Sequence, residues 1–100
     1  KVVIVFLLLA NSLFAQSGKE IFDTNCLSCH IVKRGWQLTS KEKENMLAPT
    51  IFGVTKHVRD IFPNKNDFVD FVSSYIKKPL RDKSKCRARV IKRFGLMPPI

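Results

Sequence analysis

Negative charge is what this chain has least of: 8 acidic residues stand against 18 basic ones in 100, for a formal net charge of +10. Such an excess puts a polyanionic partner or surface among the expectations. Cysteine is scarce too. Three thiols are too few for a scaffold built on disulfides, and an odd number leaves at least one without an intramolecular partner. With only 4 glycines and 5 prolines, a collagen-like or low-complexity chain is excluded. Sustained period-two alternation bounded by turn signals is also missing, so no sheet is expected. What remains is 45% hydrophobic and 26% charged residues in a length that allows one small, all-α domain.

Residues 2–10 form an unbroken apolar run behind Lys1, and Ser12-Leu13-Phe14-Ala15 puts a small residue before Gln16. This reads as a secretory signal over residues 1–15, cut after Ala15, and implies export to the periplasm. An uncleaved N-terminal anchor is the second reading. The run breaks at Asn11-Ser12, short of the ~20 apolar residues that a membrane span needs. Residues 16–100 are then one domain whose modest core calls for a staple or a cofactor.

Ser17-Gly18-Lys19-Glu20 fits a capping box and predicts a helix to about Leu27 with Ile21 and Phe22 as its apolar contacts. Thr39-Ser40-Lys41-Glu42 repeats the pattern and predicts a short helix that includes Met46 and ends before Pro49. Thr55 is expected to cap a turn carrying Val58, Ile61 and Phe62. Asn64 or Asn66 should open the clearest helix, with Phe68, Val69, Phe71, Val72, Tyr75 and Ile76 at helical spacing and Pro79 as its stop. A last helix is expected from about 84 to 94, carrying Cys86, Val90 and Phe94 on one face, with Gly95 beyond its end.

One motif carries chemistry. Cys26-Leu27-Ser28-Cys29-His30 is the attachment pattern of a c-type haem: two thiols spaced to add across the porphyrin vinyl groups, then an imidazole carried under the iron. A thioredoxin-like pair would need a strand–helix setting that this sequence lacks. A zinc site would need a second Cys/His pair, whereas His57 and Cys86 are the only other residues of their types. Haem iron in an electron carrier takes a second axial ligand, from Met46, His57 or Met97. Met46 reads as core filler and His57 as a solvated residue. Met97 is the expected ligand, on a non-helical stretch stiffened by Pro98 and Pro99.

Gly18-Lys19-Glu20-Ile21-Phe22-Asp23-Thr24-Asn25 together with the motif resembles the first helix and haem site of class I cytochromes c. Phe94-Gly95-Leu96-Met97-Pro98-Pro99 is similar to that family's distal methionine loop. Ala48-Pro49-Thr50-Ile51-Phe52-Gly53 resembles the segment whose proline carbonyl orients the proximal histidine, and Tyr75 with Lys77-Lys78-Pro79 resembles its haem-facing helix. The resemblance implies the class I cytochrome c fold, Cys26 and Cys29 holding one haem c, His30 and Met97 ligating iron, and Pro49 orienting His30. It implies a monomeric periplasmic electron carrier rather than an enzyme, or the haem domain of a larger oxidase or reductase complex. A sensor or peroxidase with an open distal site is the other class, against which Met97 argues. The family closes with a C-terminal helix that crosses the first. No segment here corresponds to it, so the domain reads as C-terminally incomplete. Cys86 lies outside the motif; a small apolar residue on the last helix or an intermolecular disulfide are its two readings.

Residues 77–93 hold 9 of the basic residues against Asp82 alone. A charge run is most often a solvated face. Its place before the Met97 loop makes acidic redox proteins, or anionic lipid headgroups, the expected partners, and nucleic acid an unexpected one for an exported protein.

Overall fold

Side-chain caps decide where four of the five α-helices begin in residues 17–100, the part that this computed structural model describes. The secretory-signal reading of 1–15 lies outside the described residues. Helix α1 spans Gly18–Asn25, with Ser17 Oγ accepting from the Glu20 backbone N–H at 3.2 Å. It ends two residues before the expected Leu27. There the N–H groups of Cys26 and Leu27 both turn to the Phe22 carbonyl, at 2.8 and 3.1 Å, and residues 26–29 tighten into a turn. The following loop contains a 3-10 turn, Gly35–Gln37, held by Gln37 Oε1 on the Arg34 N–H at 2.8 Å.

Helix α2, Ser40–Glu44, has the full capping box: Thr39 and Glu42 each accept the other's backbone N–H at 3.1 Å. It is shorter than expected, so Met46 lies beyond its end. Helix α3, Ile51–Ile61, starts earlier than expected. Its cap is Thr50, whose hydroxyl accepts from the Gly53 N–H at 3.2 Å, and Thr55 sits within the helix. Pro49 before the cap fixes the entry. Helix α4, Lys65–Lys77, opens on Asn64, whose Oδ1 accepts from Asn66 N at 2.8 Å, and it ends before Pro79 as predicted.

A turn at residues 81–83 leads toward α5, Ala88–Phe94. The expected start at 84 is displaced because Ser84 Oγ accepts the Cys86 N–H at 3.2 Å, a local turn that competes with helix. Cys86 is therefore not a helix-face residue; it is half-buried just before the Arg87 cap position. Gly95 ends α5 at φ 73°, ψ −173°, a conformation open essentially to glycine alone.

The described residues are all-helical, with no strand among them. None of their helices is long and apolar enough to cross a membrane. Burial is deepest around the entry to α3, where Ala48, Thr50 and Val58 are buried. Phe71 of α4 stacks on Phe62 (4.9 Å between ring centroids) and on Tyr75 (5.5 Å), joining α4 to the end of α3. The large apolar side chains elsewhere are half-buried or exposed, Trp36 reaching 80%.

Candidate functional site

Cys26, Cys29 and His30 share the single turn that leaves α1. The N–H groups of Cys29 and His30 both point back to the Cys26 carbonyl, at 3.2 and 2.9 Å, so the three side chains are set by one short hydrogen-bonded loop. All three are half-buried. The cysteines are free thiols, and burial raises the Cys26 thiol above the ordinary range. Ser28 Oγ lies 3.9 Å from Cys29 Sγ.

His30 is fixed from the far side. Its Nδ1 lies 2.8 Å from the Pro49 carbonyl oxygen. A carbonyl can only accept, so Nδ1 carries a proton, and the tautomer this bond selects has its lone pair on Nε2. This is the arrangement by which an outer carbonyl orients a metal-bound imidazole and makes it more basic. The next residue is tied as well: Ile51 N donates to the Ile31 carbonyl at 3.1 Å. Two adjacent residues of the motif turn are thus held by the two ends of the Pro49-Thr50-Ile51 entry to α3. Arg34 lies over the Phe52 ring at 4.5 Å, and Lys33 pairs with Glu42 at 2.8 Å, so the loop after the motif is joined to both α3 and α2. No spacing in the sequence points to these last three contacts.

Met97 is half-buried in the stretch after Gly95, which has no regular secondary structure. One end of that stretch is fixed by Gly95 N on the Ile91 carbonyl at 2.8 Å, the other by Ile100 N on the Ile76 carbonyl at 2.9 Å. The strap is therefore closed onto α4 rather than hydrogen-bonded to the motif turn. His57 differs from its expected state as a solvated residue. It is half-buried, and its Nε2 donates to the Lys85 carbonyl at 2.7 Å, leaving Nδ1 as its lone-pair atom.

Among the described residues no three His, Cys, Asp or Glu side chains converge as metal ligands, those of the motif turn included. The turn presents two thiols and one oriented imidazole side by side.

No family model matches the chain, and no solved structure matches it. It is similar to an uncharacterized protein of Aquifex aeolicus (strain VF5), with 33% identity over 93 residues, covering 85% of this chain and 61% of the relative. The chain thus spans less than two thirds of that relative's length.

Proposed function

We propose that the protein is a c-type cytochrome of the class I kind, an exported one-electron carrier of the periplasm. The observation that carries this reading is the Cys26-Leu27-Ser28-Cys29-His30 turn with His30 Nδ1 held by the Pro49 carbonyl at 2.8 Å. The donor set fits a haem. Cys26 and Cys29 would form the two thioethers, His30 would ligate iron through its Nε2 lone pair, and Met97 would offer a soft thioether as the second ligand. His57 donates Nε2 to the Lys85 carbonyl, so it would have to ligate through Nδ1.

When bound, haem iron supplies one-electron chemistry between its ferrous and ferric states. The chain's own groups set the conditions for it. Pro49 and the tie between Ile51 and Ile31 hold the imidazole plane. Gly95, Pro98 and Pro99 hold the Met97 strap, and a thioether ligand from it would keep outside ligands off the iron. Half-buried Phe71, Tyr75, Phe22 and Leu38 give a planar apolar group surfaces to pack on, which a chain with so few buried side chains needs. In this reading the protein acts as a carrier. Its electron-exchange partners are acidic redox proteins that meet the basic segment 77–93.

Protein exported with its haem and extracted with acid–acetone should keep the pigment, and its mass should exceed the polypeptide by one haem. Haem that extracts freely, or zinc in its place, overturns the assignment. Cys26→Ala or Cys29→Ala should leave a single thioether.

A further inference from the structure

Arg87 and Arg89 flank the start of α5, and neither guanidinium has a hydrogen-bond acceptor or carboxylate partner among the described residues. Both line an open cleft of about 310 Å³ between α3 and the segment entering α5. Cys86 lies beside Arg87 on the same side, and across the cleft α3 places His57 and the pair of Lys56 with Asp60. That pair closes on itself at 2.8 Å, so Asp60 is already matched by a cation of its own helix. The charge left facing the cleft is that of the two arginines. The hydrogen bond from His57 to the Lys85 carbonyl ties the approach to α5 onto α3, so the two sides of the cleft are held together independently of any ligand.

Two guanidinia that line one cleft, each with planar donors and no protein acceptor, are of the kind that engages the oxygens of a phosphate-type anion in bidentate fashion. We propose that this cleft binds a phosphate-type oxyanion, either free or as an ester headgroup, through Arg87 and Arg89. The site stands on residues outside the motif turn and does not depend on whether Cys26 and Cys29 carry haem. Cys86 lines the same cleft and reports on it. In a protein whose other two cysteines are thioethers it is the one alkylatable thiol, and peptide mapping locates the adduct in either case.

The test follows alkylation of Cys86 by iodoacetamide in the full-length protein as exported, with inorganic phosphate or with chloride at equal ionic strength. Phosphate should slow Cys86 modification saturably, and chloride should not. In Arg87→Gln/Arg89→Gln the apparent affinity for phosphate should fall about tenfold or more, as removal of two charge-assisted donors requires. Arg81→Gln/Lys92→Gln removes equal charge outside the cleft and should leave protection intact. Protection by phosphatidic acid vesicles but not by soluble phosphate would assign the headgroup as the source. Equal effects of phosphate and chloride on the unsubstituted protein, with no protection by the vesicles, overturn the site without reference to any variant. So does unchanged protection in the Arg87/Arg89 double variant.

Discussion

Gly95 and Met97 show how much of the proposed site depends on single residues. At φ 73°, ψ −173°, Gly95 occupies a region that a Cβ makes costly by ~1–3 kcal/mol. Gly95→Ala should lower stability by about that amount in a denaturant titration and shift the direction in which the Met97 strap leaves α5. Met97→Ala should lower the reduction potential, remove the weak sulfur-to-iron absorption of the ferric protein and admit carbon monoxide, while Met46→Ala leaves the spectrum unchanged. If His57→Ala opens the iron and Met97→Ala is silent, the ligand assignment is wrong. Glu42 is the residue at which pH acts most legibly. The hydrogen bond from Lys33, then that from the Thr39 backbone, hold its carboxyl below the ordinary range. A depressed folded-state value means that the stabilisation is complete above the ordinary carboxylate range and disappears as pH falls through the lowered value. The melting temperatures of wild type and Glu42→Gln should therefore differ near neutrality and converge in acid. A gap that widens on acidification would contradict the sign.

The elements differ in how well they could be read beforehand. Helices α2 and α4 were legible because Thr39 with Glu42, and Asn64, are short-range caps whose partners lie two or three residues away. The turn that carries the motif was not, since α1 was expected to run to about Leu27 and ends at Asn25; the motif itself was legible as a spacing. Helix α3 was not: Thr50 and Thr55 are equally good caps by residue type, and what selects Thr50 is its buried place behind Pro49. The displaced start of α5 turns on one hydroxyl, Ser84, that bonds within its own turn. The bond from Pro49 to His30 was anticipated only through resemblance, since nothing local links residues 19 apart. Thr50→Ala should cost ~1 kcal/mol as a lost N-cap, and more than Thr55→Ala, which caps nothing. In the stack that joins α3 to α4, Phe71 touches both Phe62 and Tyr75. Truncation of Phe71 to alanine should cost about 2 kcal/mol, more than truncation of either outer ring, by thermal or chemical unfolding.

At the scale of the whole molecule, charge is segregated along the chain. The ion pairs among the described residues, Lys19 with Asp23, Lys33 with Glu42 and Lys56 with Asp60, all lie before residue 61, while the basic segment 77–93 makes none. Its field is therefore not neutralised from within. Association with an acidic redox protein should slow as salt rises and the screening length shortens to ~8 Å. Charge reversal at Lys77, Lys78 and Arg81 should lower the association rate far more than the rate within the complex, measured by flash photolysis. A salt-independent rate would make the segment a solvating face. The strap that carries Met97 has a further consequence, set by the hydrogen bond that closes it. Pro98 and Pro99 have no N–H, so the Ile100 amide is the latch donor on the Ile76 carbonyl. Its hydrogen-exchange protection counts how often the strap lifts, and in the proposed haem protein that frequency would bound how fast a foreign molecule displaces Met97.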